Sequence, residues 1–292
     1  TKDAIIEKNV SPSTGFSGDQ FLNIGEIRNW GFELALDGRL MTRQSLSWDL
    51  GLSVGHTQNR IEKLGVPPIS TGGGRGTIWH KEGYPVGGFW DRQVVHAERG
   101  DDGVPVNVLC AGGPENGHRQ MPCAEAPAVF LGGPGPWWDI NVNSTLAISD
   151  NLRLNALVDI AADQRAMTAT SYAADVVFRN TEKIIKFEEQ DPIYQAMILN
   201  GFNGLWVENN SFAKLREVSV RYVLPDGLAQ QFLGASDVTL NVSGRNLWTI
   251  WVHSDYTDVD PEINPGTNVW SRGPQTTTPP LSSLVVSLRV TF

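Results

Sequence analysis

The feature that most constrains the fold is a strict alternation of apolar and polar residues that recurs along the chain. In the stretch at 284–292, every even position is apolar, and the odd positions include Ser287, Arg289 and Thr291. Such a period of two predicts a β-strand with one apolar face and one polar face. Further stretches with the same pattern lie at 30–37, 45–54, 138–148, 152–160, 217–224 and 238–245.

The length of these stretches and the chemistry of their polar faces favour a membrane barrel. Typical soluble strands have about 5 to 6 residues, whereas a tilted strand that crosses a bilayer needs about 9 to 11. The polar faces carry full charges and amides, which a barrel lumen accepts and a packed core does not accept unpaired. We therefore predict an all-β fold, an antiparallel transmembrane outer-membrane β-barrel with about eight clear strands in this chain.

The connections between the stretches differ strongly in length. Those at 40–44 and 149–151 are tight turns, and the one at 225–236 is moderate. Short periplasmic turns and long extracellular loops are typical of outer-membrane barrels, so we expect the last strand to run inward and place the C-terminus in the periplasm. The long connections are 11–24, 58–136, 164–210 and 251–280.

Composition excludes several other classes. No stretch is long and apolar enough for a transmembrane helix, and the net charge of -9 argues against binding to nucleic acid. The five His have no metal-ligand spacing, and nucleotide-binding and hydrolase motifs are absent, so we expect neither an enzyme nor a cofactor. Cys110 and Cys123 permit a disulfide in an exported loop, with two free thiols as the alternative.

The first six residues lack the basic and apolar regions of a secretion signal. Since an outer-membrane protein must carry such a signal, we expect this chain to be the C-terminal part of a longer polypeptide.

Six segments, in this order, resemble motifs of the SusC/RagA-type TonB-linked outer-membrane receptors. They are N-I-G-E-I-R-N-W-G-F-E at 23–33, E-G-Y-P-V-G-G-F-W at 82–90, F-L-G-G-P-G-P-W-W at 130–138, V-E-N-N-S-F-A-K-L-R-E-V at 207–218, S-G-R-N-L-W-T at 243–249 and D-P-E at 260–262. The connection between Trp248 and Asp260 is longer than the family pattern, so a standard cargo does not follow from the resemblance.

The resemblance implies a large barrel with a plugged lumen. Residues 1–292 would be the C-terminal part of that barrel, with the plug and the earlier strands absent from this chain. It further implies TonB-driven uptake through the outer membrane, a SusD-like lipoprotein as lid partner, and a glycan or oligosaccharide cargo, with peptide as the second candidate. It also implies that assembly machinery reads an aromatic terminus, here Phe292.

Two alternatives from other classes stay open at this stage. One is a small self-contained eight-stranded outer-membrane barrel with an adhesion or structural role. The other is a secreted β-sandwich that binds carbohydrate. The missing secretion signal and the extent of the resemblance argue against the first alternative, and the charged second faces of the strands argue against the second.

Candidate ligand-binding residues lie in the long connections, because loops on a rigid wall usually carry function. Trp206 and Trp270 offer faces for stacking on a sugar, although an aromatic girdle at the membrane interface is the commoner reason for Trp at strand ends. Asp255, Asp258 and Glu262 offer acceptors for hydroxyl groups. With Asp260 they raise the alternative of a Ca²⁺ site, but the EF-hand spacing and its Gly are absent, so no metal is predicted.

Overall fold

The computed structural model describes residues 1–2, 4–9, 19–71, 74–256, 260–262 and 279–292. The strands, in chain order, are β1 (Ala4–Asn9), β2 (Asp19–Arg43), β3 (Leu46–Lys63), β4 (Ile69–Ser70), β5 (Ile78–His80), β6 (Gly88–Asp91), β7 (Val94–Arg99), β8 (Pro105–Ala111), β9 (Gln120–Pro122), β10 (Val129–Gly132), β11 (Trp138–Ile148), β12 (Leu152–Ala162), β13 (Arg165–Met167), β14 (Val207–Asn209), β15 (Phe212–Val223), β16 (Asp237–Val252) and β17 (Ser283–Thr291).

Helices are short and lie in the connections. They are α1 (Ala169–Tyr172), a π-helix (Ala173–Val177), α2 (Glu182–Ile185), α3 (Pro192–Leu199) and α4 (Asp226–Leu233), with 3₁₀ turns at Gly74–Gly76, Pro114–Asn116, Phe187–Glu189 and Asn203–Trp206. The α3 helix begins where the sequence supplies both start signals, because the Asp191 carboxylate accepts the Ile193 N–H and Pro192 follows it. None of the helices in the described residues is long and apolar enough to cross a membrane.

Eight strands form one antiparallel sheet in the order β1-β2-β3-β11-β12-β15-β16-β17. The antiparallel all-β prediction is therefore confirmed, and β1 is a strand that the alternation pattern missed. Within the described residues, β1 and β17 are the two edges of the sheet and do not pair with each other. The sheet is open as described, so these strands do not close the small eight-stranded barrel of the first alternative.

The register of the sheet places the predicted apolar residues on one face, here called the apolar face; the opposite one is the polar face. One row of directly paired residues consists of Trp48, Leu146, Leu154, Val220, Val242 and Val286. Phe32, Leu36 and Val286 on this face are more than half exposed. A sandwich would bury this face against a second sheet, so the exposed side chains contradict the β-sandwich alternative.

Aromatic side chains lie at both ends of the apolar face. Toward the long connections, Phe32 and Trp138 are in edge contact with ring centroids 5.8 Å apart, and Trp30 precedes Phe32 on the same face. Toward the short turns lie Trp48 and Tyr222. Eight residues of β3 separate the Trp48 row from the row that pairs with Trp138, about 27 Å along the strand and about 20 Å along the axis of a barrel with usual strand tilt. This spacing is close to that of the two aromatic girdles of outer-membrane barrels.

The connections at 64–137 and 163–211 fold together into one unit, here called the cap. Ile78 and Phe89 from the first connection form a buried cluster with Met167 and Trp206 from the second. The Asp91 carboxylate also accepts the Gly204 N–H at 2.6 Å, which ties β6 to the second connection. Two of the four long connections expected from the sequence therefore form one unit with its own hydrophobic core.

A second buried cluster of the cap surrounds a disulfide. Cys110 on β8 and Cys123 are bonded with an S–S distance of 1.98 Å. Both cysteines pack with Val94 and with Met197 of α3. Of the two alternatives that the sequence left open, the structure therefore contains the disulfide, which joins β8 to the turn after β9 within the core under α3.

Candidate ligand-binding surface

The polar face of the large sheet carries a ladder of hydrogen-bonded polar side chains. The Thr145 hydroxyl donates to the side-chain oxygen Oδ1 of Asn155 at 2.9 Å, and the side-chain Nδ2 of Asn155 donates to the Ser219 hydroxyl at 3.3 Å. One row further along, the Arg245 guanidinium pairs with the Glu217 carboxylate at 3.1 Å. Because strands β11, β12 and β15 are in register, residues far apart in sequence present amides, hydroxyls and a carboxylate to the same space.

A groove of about 320 Å³ lies in this ladder. Its polar lining consists of amide, hydroxyl and carboxylate groups, and its apolar lining comes from Ala156 and Leu157. Such a mixture suits a polar ligand that carries hydroxyls or amides, because each of these lining groups can form a hydrogen bond with it. The polar lining residues are Asn143, Asn155, Glu217 and Ser219.

A glycine beside the groove allows a carboxylate to lie flat on the sheet. Gly51 pairs with both Asp37 and Asn143 in the same row. A Cβ at position 51 would lie only 2.7 Å from Asp37 Oδ1. The absence of a side chain at Gly51 therefore gives the Asp37 carboxylate its place on the polar face next to Asn143.

A partly buried network of charged side chains lies above the groove, toward the cap. The Lys214 ammonium is 2.7 Å from Asp260 Oδ1 and 2.7 Å from Glu262 Oε2, and Lys214 is 2% exposed. The Arg216 guanidinium bonds to Asp159 at 2.5 Å and to both carboxylate oxygens of Glu262. Two cations thus face three carboxylates, and the network as a whole carries a net charge of -1 when all five groups are ionised.

A β-bulge aims Arg216 into this network. Leu157 pairs with Glu217 and Val158 with Leu215, so Arg216 has no partner of its own on β12. An extra residue of this kind redirects the neighbouring side chains of a strand. Lys214, Arg216 and Glu217 consequently share the polar face although they are not evenly spaced in the sequence.

The network holds the D-P-E segment against the sheet. Backbone groups of this segment are also bound, because the Asn210 amide donates to the Pro261 carbonyl at 2.9 Å and the Tyr256 hydroxyl to the Asp260 carbonyl at 2.6 Å. Burial raises the pKa of the Glu262 carboxyl, but hydrogen bonds from Arg216 and Lys214 outweigh it and leave the pKa below its ordinary value. The carboxylate of Glu262 is therefore ionised and fully engaged by its two cationic partners.

The predicted site residues do not gather in one place. Glu262 belongs to the charged network, and its oxygens are bonded within the chain instead of facing a ligand. Asp255 is exposed and accepts a long hydrogen bond from Ser254 at 3.5 Å. Asp258 and Trp270 lie outside the described residues.

Trp206 is a core residue of the cap. It is 4% exposed, and its ring packs edge-on against Tyr172 with centroids 4.8 Å apart. Its indole N–H donates to the buried Asp175 carboxylate at 3.0 Å, which also accepts from Thr181 and Tyr194. In this arrangement the ring has no free face for stacking on a sugar, so the structure corrects the ligand-binding interpretation of Trp206 to a packing role.

The part of the chain that the structure describes contains no group of three or more His, Cys, Asp or Glu side chains arranged to bind a metal ion. Asp260 and Glu262 instead have the Lys214 ammonium between them.

Phe292 follows β17 and is almost fully exposed. Its role as an assembly signal stays a prediction.

Sequence reasoning missed Lys214, Arg216 and Asp175 as structural centres. A signal for the first two is present, because Lys214 and Arg216 are two residues apart, as on one face of a strand. The bulge at Arg216 shifts the period, so the alternation that begins at Glu217 does not extend back to these two residues. Asp175 had no such signal, because its three partners come from separate turns of the cap.

Comparison with known proteins shows which class this chain is similar to. No family model matches the chain. Two curated relatives do: the TonB-dependent receptor P3 of Formosa agariphila is 24% identical over 90% of this chain, and the TonB-dependent receptor SusC of Bacteroides thetaiotaomicron is 21% identical over 91%. The chain spans 28% and 27% of the length of these relatives.

Solved structures show the same fold. All of this chain superposes on 32% of a chain in the structure of the RagAB peptide transporter, with a TM-score of 0.72 and 17% identity. For the RagAB peptide importer in its "open-open" state, the TM-score is 0.73 with 15% identity. The predicted resemblance to SusC/RagA-type TonB-dependent receptors is thereby confirmed: this chain is similar in sequence to part of two TonB-dependent receptors and in fold to part of the RagAB transporter.

Proposed function

We propose that this chain is part of the wall and outer cap of a TonB-dependent importer in the bacterial outer membrane. The observation that carries the proposal is the two-sided sheet: an exposed apolar face bounded by aromatics at both ends, opposite a polar face with a groove and a charged network. Further strands from the remainder of a receptor would pair with β1 and β17 and close the wall, so that the polar face lines the lumen. The turns at 44–45 and 149–151 would then lie in the periplasm, as would the C-terminus.

In this arrangement the chain is a transporter component and not an enzyme. Energy would come from TonB through a region outside this chain, and the lipids of the outer membrane would surround the apolar face. A SusD-like lipoprotein is the proposed lid partner. The cap supports this partner because its helical part exposes Phe178, Ile185 and Leu199, and exposed apolar side chains of this kind are typical of a surface that a partner covers.

The cargo is proposed to be a polar nutrient that reaches the groove on the polar face. The hydroxyl and amide groups of the groove favour an oligosaccharide as first candidate. A peptide is the second candidate, and it is supported by the structural similarity to the RagAB peptide transporter. Both cargo classes need hydrogen-bond partners along the lumen, and neither needs the Trp206 ring.

The test is uptake of labelled oligosaccharides and peptides by cells that carry the full-length receptor. Asn155→Leu and Ser219→Val remove two groove partners, and Arg39→Gln, on the polar face at the end near the short turns, serves as the control. The proposal expects reduced uptake of one cargo class for the groove variants at unchanged surface abundance, with the control unaffected. Normal uptake of both classes by both groove variants would contradict a role for the groove.

A similar experiment tests the lid partner. Phe178→Ser and Ile185→Ser in the full-length receptor should reduce co-purification of the SusD-like lipoprotein, because they remove exposed apolar surface without entering the cap core. Ser171, on α1 of the same cap, offers a matched Ser171→Ala control. Unchanged co-purification would assign the partner contact to another surface.

A further inference from the structure

The apolar face carries two arginines at its outer end that have no carboxylate partner among the described residues. Arg28 on β2 and Arg60 on β3 are directly paired across the two strands. Directly opposed like charges destabilise a sheet. Both side chains are exposed, and neither forms an ion pair within the described residues.

Neighbouring residues establish which way the two arginines point. The guanidinium of Arg28 lies 5.7 Å from the ring centroid of Trp30, which places it on the apolar face. The alternate residues Ile27 and Ile61 are also paired, and they pack on the opposite side in a buried cluster. Arg28 and Arg60 therefore project outward, on the side that the proposed function exposes to lipid.

The height of the arginine pair is set by the aromatic row beneath it. Trp30 pairs with Gln58, and Phe32 with His56, so the arginine pair lies two residues, about 7 Å along the strand, beyond Trp30. Aromatic girdles lie at the level of the lipid headgroups. Two guanidinium groups just beyond such a row are at the height of headgroup phosphates.

We propose that Arg28 and Arg60 form a binding site for the phosphate group of an outer-leaflet lipid. An arginine fork matches the geometry of a phosphate, and a dianionic or monoanionic group between the two guanidinium ions would remove their mutual repulsion. The acyl chains of the same lipid would lie along Phe32, Leu34 and Leu36 of the apolar face. Glu26 and Glu62 lie on the far side of the arginine pair from Trp30. Their negative charges are therefore not between the arginines and the membrane. This inference rests on the proposed function, because it needs the apolar face to be in the membrane.

The test uses the full-length receptor, purified from outer membranes in mild detergent, with bound lipid counted by native mass spectrometry. The variant R28Q/R60Q removes the two charges. A matched control is R153Q/R221Q, which removes an equally paired arginine couple from the polar face. Wild-type receptor and the control should retain phosphorylated lipid A, whereas R28Q/R60Q should lose about tenfold or more of it. Dephosphorylated lipid A should not be retained by any form.

Several results would overturn this inference. One is that R28Q/R60Q retains as much phosphorylated lipid A as the wild type, and another is that the wild type retains dephosphorylated lipid A equally well. A third is that R153Q/R221Q loses as much lipid as R28Q/R60Q. A fourth is complete displacement of the lipid by inorganic phosphate at the same concentration, which would assign the site to the free anion. A loss of co-purifying lipoprotein in place of lipid would assign the arginines to a protein contact.

Membrane abundance and uptake are measured on the same preparations. If the receptor is embedded and active but lipid retention is unchanged, only this inference fails; if it is absent from the membrane, the proposed function fails with it.

Discussion

The ammonium of Lys214 on β15 lies 2.7 Å from Oδ1 of Asp260, 46 positions further along the chain. This contact joins the polar face of the sheet to a connection that returns from β16. Lys214 is surrounded so completely that its charge has no access to water, and the carboxylates of Asp260 and Glu262 are its compensation. The D-P-E segment is thereby attached to the wall.

Removal of the Lys214 charge should therefore destabilise the upper part of the sheet. In Lys214→Met, the partly buried carboxylates of Asp260 and Glu262 lose their shared buried cation, and breaking a buried pair typically costs about 3 to 5 kcal/mol. The measurement is thermal unfolding of the purified full-length receptor. Adding Asp260→Asn to Lys214→Met should recover part of the loss, because it removes one of the uncompensated charges.

The matched control for this prediction is Arg245→Gln. Its pair with Glu217 lies on the same face but is largely exposed, and exposed ion pairs contribute about 0 to 1 kcal/mol. An equal loss of stability for Lys214→Met and Arg245→Gln would mean that the Lys214 network is solvated in the assembled receptor.

The two faces of β3 should respond differently to a new charge. Leu52 lies on the apolar face, and its neighbour Ser53 lies on the polar face. Leu52→Arg should reduce the amount of folded receptor in the outer membrane, because arginine facing lipid costs about 2 to 4 kcal/mol near the midplane. Ser53→Arg should be tolerated. The readout is heat-modifiable mobility of the receptor in membrane fractions, and equal levels of the two variants would contradict the assignment of the faces.

Trp206 should matter for the stability of the cap and not for direct contact with cargo. Trp206→Ala removes a buried indole from the cluster with Phe89 and leaves Asp175 without one of its three donors, so we expect a loss of about 3 to 5 kcal/mol. Trp206→Phe keeps most of the packing and should lose less.

Protease resistance of the cap measures this effect in the full-length receptor. The cargo affinity of Trp206→Phe, determined on protein that retains a resistant cap, should equal that of the wild type. A cargo affinity that falls while the cap stays resistant would restore the ligand-stacking interpretation.

Acid should loosen the cap through His80. Burial lowers the pKa of the His80 imidazole, and its Nδ1 accepts the N–H of Gly87 at 3.1 Å, a bond that is lost when Nδ1 is protonated. The unfolded state has the ordinary pKa of about 6.5. The folded cap thus binds this proton less readily than the unfolded chain, and its stability declines as the pH falls below about 6.5 toward the folded-state pKa.

Hydrogen exchange of the Gly87 amide between pH 7.5 and 5 is the measurement. As the pH falls, the protection factor of the Gly87 amide should decrease more steeply in the wild type than in His80→Gln, because glutamine cannot gain a proton in this range. His118, which is exposed in the same cap, provides His118→Gln as the control. Parallel curves for the wild type and His80→Gln would exclude His80 as the titrating group.

Sequence alone determined seven of the eight strands of the large sheet, all except β1, and the chemistry of the two faces. The reason is that a strand period of two is local: Leu50 and Leu52 alternate with Gly51 and Ser53 whatever lies beside them, and a shift of one residue would exchange the faces. The motifs at 23–33 and 260–262 likewise carried the resemblance to TonB-dependent receptors without any coordinates. The ends of strands were less well determined, because β2, β3 and β16 continue past the last apolar member of the pattern.

Tertiary structure decided what the long connections do. The cap exists because Phe89 from one connection and Trp206 from the other bury each other, and no local pattern records a contact between segments more than a hundred residues apart. Glu262 is a second example, because its partners Lys214 and Arg216 lie far from it in sequence. It therefore binds these two cations and not a ligand. Whether a charged or aromatic side chain faces a ligand or the protein depends on which residues, distant in sequence, lie next to it in the folded chain.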